Sequence, residues 1–237
     1  MRRALGEFVD TENLVIIGIG IAVVAIVIWI SMLRARKRSG ETEAVAQTIG
    51  MSFEGDKWSD PLRSQDLTTQ LFRKGSARRF VNIMTGTSQG MPARLFDYSF
   101  VEGSSTQSRT VNQTVAAYDD PAASLPEFAI TPGSLFKKLD GLLGPKPIAF
   151  DTNPEFSRRY RLTGSDEAAI RALFVPDVVA YFEGLDPAGN WTIEGTGHTV
   201  LIYRAGKRVA PAELAKFLDD TSSRARTFFS HAPVTIV

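Results

Sequence analysis

A run of twenty apolar residues near the start of the chain is the strongest pattern in the sequence. From Leu14 to Leu33 no side chain is charged, and Ser31 is the only polar one. Twenty residues of α-helix are about 30 Å long, which matches the hydrocarbon core of a bilayer. The pattern predicts a transmembrane helix over residues 14–33, with the lipid bilayer as its partner, after a short N-terminal segment of residues 1–13.

A basic cluster follows this run and sets the predicted orientation. Its four side chains are Arg34, Arg36, Lys37 and Arg38. Only Arg2 and Arg3 precede the run, so the positive-inside rule places the rest of the chain in the cytoplasm. A cleaved signal peptide would have a shorter apolar region and a small-residue cleavage site, so a retained anchor is favoured. The cluster lies in an expected linker, residues 34–40, and is either a topology signal alone or also a contact for anionic lipid.

The remaining pattern alternates between a period of two, typical of strands, and a period near 3.6, typical of helices. Strands are predicted at residues 80–84, 94–101, 110–118, 128–130, 160–162, 191–194 and 199–204. Helices are predicted at residues 41–49, from Asp60–Pro61 to Gly75, and at 134–143, 166–174, 176–184 and 211–229. This mixture, without regular βαβ units, predicts an α+β domain with a mainly antiparallel sheet over residues 41–230, followed by a tail at 231–237.

The final predicted helix has a clear apolar stripe. Five apolar residues and one threonine share a face at 3.6 residues per turn: Leu214, Phe217, Leu218, Thr221, Ala225 and Phe228. Four charged residues are expected to face water: Asp219, Asp220, Arg224 and Arg226. The stripe therefore predicts that this helix packs on the sheet.

Composition and charge disfavour or exclude several classes of function. Hydrophobic residues make up 43% and charged residues 22%, as in globular proteins that bury a core. Removing the six basic and three acidic residues of segment 1–38 leaves 21 basic against 23 acidic residues in the rest. A nucleic-acid partner is disfavoured, because such domains carry a net basic face. The absence of cysteine excludes disulfides, thiolate metal sites and cysteine nucleophiles.

One short motif resembles a catalytic signature. Residues Gly86–Gly90 match G-x-S-x-G, with Ser88 at the nucleophile position. A nucleophile elbow needs a strand before the serine and a helix after it. Here Met91-Pro92 and an alternating strand pattern follow, so a hairpin turn is favoured. A membrane-bound serine hydrolase using Ser88 remains the alternative.

The other polar residues nominate no catalytic, cofactor or metal site. His198 and His231 have no companion histidine at helical spacing and no cysteine that would complete a zinc site. The acidic doublets fit a turn, a helix start and a solvated helix face: Asp119-Asp120, Asp166-Glu167 and Asp219-Asp220. Residues 141–146 lack the spacing of a phosphate loop.

A basic cluster inside the domain also has two interpretations. Its members are Arg158, Arg159 and Arg161. A solvated face, or one that meets an acidic partner, is favoured over an anion site.

Four short segments carry a resemblance to a known family: Phe96-Asp97-Tyr98, Gln113-Thr114-Val115, Leu125-Pro126-Glu127-Phe128 and Pro154-Glu155-Phe156-Ser157-Arg158-Arg159-Tyr160. Together with the membrane helix, residues 41–229 resemble a family of uncharacterised bacterial single-pass membrane-anchored proteins. The resemblance implies a setting at the bacterial inner membrane. It implies no activity and no site residues.

Three hypotheses for function follow from these patterns. The leading one is a membrane-anchored, non-enzymatic cytoplasmic domain that binds a protein or lipid surface, with the protein partner unspecified. The second is the serine hydrolase at Ser88. The third is a structural component of the cell envelope.

Overall fold

The computed structural model describes residues 11–56, 69–103, 107–133, 146–186 and 189–233. The helix predicted at 134–143, the segment 141–145 and most of the helix predicted from Asp60 lie outside the described residues. The chain divides into two compact units, Met1–Glu41 and Thr42–Val237.

The first helix, α1, is longer than the sequence pattern suggested. It runs without interruption from Thr11 to Thr48, and Gly50 follows with φ 72°, so the predicted stop at this glycine is confirmed. Residues 34–40, expected as a linker, are helical instead. Ser39 and Gly40 weaken a helix only modestly, and the flanking alanine, arginine and glutamate residues favour it. The predicted short helix at 41–49 is therefore the end of α1.

The second unit contains an eight-stranded antiparallel sheet with the strand order β1-β2-β3-β4-β8-β7-β5-β6. Its strands are β1 (Ser52–Gly55), β2 (Ser76–Ser88), β3 (Met91–Glu102), β4 (Arg109–Asp119), β5 (Leu125–Pro132), β6 (Tyr160–Gly164), β7 (Trp191–Gly197) and β8 (Thr199–Arg204). The α+β class and the predicted strands are confirmed. The additional strand β1 has only four residues, too few to show a period of two in the sequence.

Several helices accompany the sheet. They are α2 (Gln70–Arg73), α3 (Pro154–Arg159), α4 (Glu167–Leu173), α5 (Pro176–Gly184) and α6 (Leu214–Phe229), with a 3₁₀ turn at Pro211–Glu213 before α6. Helix α3 was not predicted, because six residues show too little of a helical stripe. The helices predicted at 166–174, 176–184 and 211–229 are confirmed.

Helices α3 to α6 pack on one face of the sheet and form its larger core. Phe228 of α6 contacts Phe128 of β5, with ring centroids 5.0 Å apart. The six residues of the predicted stripe on α6 are all buried. The hydroxyl of Tyr118 lies 2.7 Å from Thr221 Oγ1, which explains a threonine in an apolar stripe. Arg224 departs from the prediction: its guanidinium lies over the Trp191 ring, 4.5 Å from the centroid.

The opposite face of the sheet carries a smaller core, here called the second-face cluster. Its members are Leu71, Phe72, Ile83, Phe96, Tyr98, Phe100, Val115, Ala117, Leu201 and Tyr203. Strands β2, β3, β4 and β8 supply the sheet residues, and α2 supplies Leu71 and Phe72. Both faces of the central strands are therefore buried.

Candidate functional site

The apolar surface of α1 is the first candidate for a functional surface. Its large hydrophobic side chains from Ile16 to Leu33 are 39–66% exposed. In the described part of the chain, α1 is the one helix long and apolar enough to cross a membrane, and no residue of its most apolar 18-residue stretch is buried. Water-exposed apolar patches of this size mark membrane or partner contacts.

A buried carboxyl group is the central polar feature of the second face. Glu194 of β7 is 2% exposed, and its Oε1 accepts a hydrogen bond of 2.7 Å from the Tyr203 hydroxyl. The backbone amide of Leu71 donates to its Oε2 at 2.9 Å. Burial raises the pKa of Glu194, and these hydrogen bonds only partly oppose that rise. Glu194 therefore links α2 to the sheet, although Glu194 and Leu71 are 123 residues apart in sequence.

Two buried hydroxyl groups on the same face of the sheet as Glu194 lack hydrogen bonds. The Tyr98 hydroxyl and Thr192 Oγ1 are buried and have no partner in the structure as described. Thr192 is the cross-strand neighbour of Tyr203, whereas Tyr98 lies on β3, three strands from β7 in the sheet. Burial raises the pKa of Tyr98 to about 12. Buried polar groups are normally paired, so each of these two hydroxyl groups has unmet hydrogen-bonding capacity.

The aromatic rings of the second face meet above the sheet. The Phe72 ring lies 5.2 Å from the Tyr98 ring and 5.4 Å from the Phe80 ring, measured between centroids. Phe80 and Tyr98 are 4.8 Å apart. Phe72 is only 2% exposed, so α2 inserts it fully among these rings.

Helix α2, residues Gln70–Arg73, is here called the plug, because among the described residues it is the helix that covers the second-face cluster. Besides the bond to Glu194, Gln70 Nε2 donates to Thr163 Oγ1 at 3.3 Å. Arg73 forms an ion pair with Glu127, and the two side chains are 52% and 33% exposed. Exposed ion pairs contribute little to stability. The plug is thus held mainly by its two apolar side chains and by one buried carboxyl group.

Ser88 lies in a hairpin turn, as the favoured interpretation predicted. It ends β2 and pairs with Met91, so only Gln89 and Gly90 form the turn, with φ of 51° and 81°. Positive φ at both positions is the geometry of a tight two-residue hairpin. Strand β3 follows instead of a helix, so the elbow geometry that would activate Ser88 is not formed.

The two histidines lie at separate places in the fold. His198 is in the turn between β7 and β8, next to Gly197 with φ 57°. His231 follows α6, and its Nδ1 lies 2.9 Å from the Thr227 carbonyl oxygen. The structure does not bring them together into one site.

The acidic doublets make local contacts. Asp119 pairs with Arg94 at the end of two neighbouring strands. Asp166 caps α4 by accepting a hydrogen bond of 3.0 Å from the Ala169 amide. Asp220 pairs with Lys216 on the exposed side of α6. Asp166 and Asp220 match the predicted helix start and helix face. Asp119 instead ends β4, and Asp120 begins the predicted turn by accepting a hydrogen bond of 3.0 Å from the Ala122 amide.

The predicted basic cluster spans two elements, with Arg158 and Arg159 in α3 and Arg161 in β6, and Arg158 and Arg159 do not share one surface. Arg158 is exposed and pairs with Glu155 one turn earlier. Arg159 turns inward and donates to the carbonyl oxygens of Glu183 and Leu185, at the end of α5. Arg159 therefore satisfies the free carbonyl groups of a helix C-terminus, a structural role.

Two of the segments that carried the family resemblance hold a buried polar network. Asp97 accepts a hydrogen bond of 2.9 Å from Asn82 Nδ2 and one of 2.8 Å from Thr114 Oγ1. Thr114 Oγ1 also accepts from the Val209 amide at 3.0 Å. The network joins β2, β3, β4 and the loop after β8, so these residues stabilise the fold.

Comparison with known proteins shows a shared fold. No family model matches the chain, and no curated protein matches it. A similar solved structure is the crystal structure of the mycobacterial trehalose monomycolate transport factor A, TtfA, with a TM-score of 0.55. The likeness covers 85% of this chain and 99% of that chain, at 11% identity. At this identity the likeness concerns the fold alone.

The buried carboxyl group gives a testable pH dependence. The folded-state pKa of Glu194 lies above its ordinary value of 4.5, so the folded chain binds more protons than the unfolded chain between these two values. The free energy of unfolding should therefore fall as the pH rises from 4.5 through the folded-state pKa. Glu194→Gln should remove this contribution. The free energy of unfolding of the variant, minus that of the natural protein, should therefore increase with pH.

Urea titrations of residues 40–237 at several pH values measure this difference. Glu127→Gln, at a carboxyl group that is 33% exposed, is the control and should keep the pH dependence of the natural protein. A constant difference between Glu194→Gln and the natural protein across the pH range would contradict the assignment.

Proposed function

We propose that this protein is a single-pass protein of the bacterial inner membrane whose second unit binds a lipid or protein surface without catalysing a reaction. The exposed apolar surface of α1 carries this proposal. A helix with this much apolar surface gains free energy by leaving water for a bilayer, at about 25 cal/mol per Å² buried. The basic residues 34–38 follow the apolar part directly and suit the cytoplasmic interface.

Two further observations support a binding role. The fold is shared with a protein described as a transport factor for trehalose monomycolate, a lipid. Ser88, the serine of the hydrolase hypothesis, flanks a hairpin turn that leads into a strand. Both fit a protein that holds a partner at the membrane.

Membrane attachment and orientation are tested together. The full chain should sediment with the membrane, resist extraction by salt or alkali, and dissolve in detergent. Residues 40–237, which keep both cores but lack the apolar run, should be soluble and unfold cooperatively. A fluorescent reporter fused after Val237 should be active, and a phosphatase that works only outside the cytoplasm should be inactive there.

Other results would count against the proposal. Release of the full chain by salt alone would show that α1 does not span the bilayer. An active phosphatase fusion would reverse the orientation and leave the anchor in place. Aggregation of residues 40–237 in every buffer would show that the second unit needs lipid or a partner to fold.

A further inference from the structure

We propose that a basic edge of the second unit docks on anionic lipid headgroups of the bilayer that holds α1. The basic edge consists of Arg73 and Lys74, at the C-terminal end of the plug, and of Arg78 and Arg79, in β2. The proposal rests on the proposed function, because it takes α1 as the anchor and names the lipid class that the second unit binds. Three observations carry it: crowded positive charge, a strand edge that is protected against pairing, and a short connection to α1.

The four side chains of the basic edge are crowded together and exposed to solvent. Arg78 folds back on the end of the plug, where its Nη2 atom donates to the carbonyl oxygens of Arg73 and Gly75 at 3.0 and 3.1 Å. Its Nε atom donates to the Lys74 carbonyl oxygen at 3.3 Å. The Arg78 guanidinium therefore lies beside the backbone that carries Arg73 and Lys74, and like charges this close repel one another.

Little negative charge offsets this cluster. No acidic residue occurs from residue 73 to residue 82, and Glu54 and Asp56 lie beyond this stretch, on β1 and directly after it. Arg73 pairs with Glu127, and the other three members of the basic edge form no ion pair within the described residues. Three positive charges therefore remain unmatched, which makes an anionic surface the complementary partner.

The strand edge beside these charges is protected against strand addition. β1 covers β2 only at residues 83–85, so in the described structure residues 76–82 pair on one side, with β3. A bulge lies at each end of this free edge, with φ of 49° at Ala77 and 55° at Asn82. Bulges and positive side chains both oppose the pairing of an edge with another strand. A surface of headgroups therefore suits this edge better than a second copy or an extended peptide.

The connection to α1 keeps the bilayer within reach of the basic edge. Only residues 34–41 separate the apolar run from the second unit, and eight residues extend at most about 30 Å. Within the second unit, the chain enters the sheet at β1, which pairs with β2 from residue 83 onward. Arg79 is four residues from this point, about 13 Å along a strand. A tether this short gives the bilayer a high effective concentration at the basic edge.

Fluorescence quenching of the full chain in lipid nanodiscs tests the proposal. The chain has no cysteine, so Ser76→Cys provides one attachment point for a fluorophore, at an exposed position within the basic edge. The discs contain phosphatidylcholine, some of it with a nitroxide on the headgroup, either alone or mixed with phosphatidylglycerol. We expect stronger quenching with phosphatidylglycerol. The difference should disappear at about 1 M salt, where the Debye length is only about 3 Å.

A double variant and a matched control, both on the labelled chain, locate the effect. Lys74→Gln with Arg79→Gln removes two charges that form no ion pair among the described residues, so the melting temperature should not change. Each charge near an anionic surface changes a binding constant about fivefold, so the docking constant should fall about 25-fold. It is obtained from quenching as the phosphatidylglycerol fraction is raised. Lys207→Gln with Lys216→Gln makes the same change in net charge at exposed positions elsewhere and should leave the docking constant unchanged.

Three results would overturn the proposal. Equal quenching with and without phosphatidylglycerol would show that the basic edge does not meet anionic lipid, and the membrane anchor would stand. Equal docking constants for the two double variants would show that net charge, and not the basic edge, attracts the second unit. Loss of the full chain from the discs during gel filtration would reject the proposed function as well, because α1 would then not hold the chain in a bilayer.

Discussion

Replacing Phe217 with alanine is expected to lower the free energy of unfolding by about 3–5 kcal/mol, a large part of a typical domain's stability. Phe217 is 3% exposed, and its ring stacks on Trp191 with centroids 5.6 Å apart. The variant would leave a cavity between α6 and the sheet that the surrounding side chains fill only partly. Thermal and urea unfolding of residues 40–237 measure the effect.

A matched change on the opposite side of the same helix serves as the control. Asp220 pairs with Lys216, whose side chain is 79% exposed, so the pair is weak. Asp220→Ala should therefore change the free energy of unfolding by less than about 0.5 kcal/mol. Small and equal shifts for Phe217→Ala and Asp220→Ala would show that α6 is not docked on the sheet in solution.

Replacing Asp97 with alanine should cost about 3 kcal/mol or more, because it leaves two buried donors without their acceptor. The carboxyl group is 2% exposed and accepts hydrogen bonds from Asn82 and Thr114. Through Thr114 it also positions the amide of Val209. Urea unfolding of Asp97→Ala in residues 40–237 measures the loss.

Glu102→Ala on the same strand is the comparison for Asp97→Ala. Glu102 pairs with Arg109 on the surface, where the two side chains are 45% and 77% exposed. Its loss should cost less than about 1 kcal/mol. Similar losses for the two variants would show that the network around Asp97 contributes no more to the free energy of unfolding than a surface ion pair does.

Two of the family-like segments hold residues with a structural role. Asp97 and Thr114 are polar residues within apolar strands, and the resemblance implied no site residues. In the fold they satisfy one another and a loop amide. Glu194, whose carboxyl group is buried on the second face, drew no attention in the sequence. It alternates with Trp191 and Ile193, as a solvent-facing residue of a strand does.

The sequence by itself determined the features that depend on near neighbours in the chain. The apolar run of α1, the hairpin at Ser88 and the stripe of α6 are set by spacings of one to four residues, which fix the period of an element and the face it buries. Residues 34–40 were harder, since a basic cluster followed by Ser39 and Gly40 can belong to a linker or to a helix. The continuous α1 shows that helix propensity prevailed there.

Only the tertiary structure decided what covers the second face of the sheet. Alternation shows that Thr192 and Glu194 lie opposite Ile193, but it cannot show whether that side meets water. The answer comes from Leu71, which is 123 residues from Glu194 in sequence and 2.9 Å from it in the fold. Burial that includes so distant a segment raises the pKa of Glu194. It does so because desolvation depends on every atom nearby and not on the order of residues in the chain.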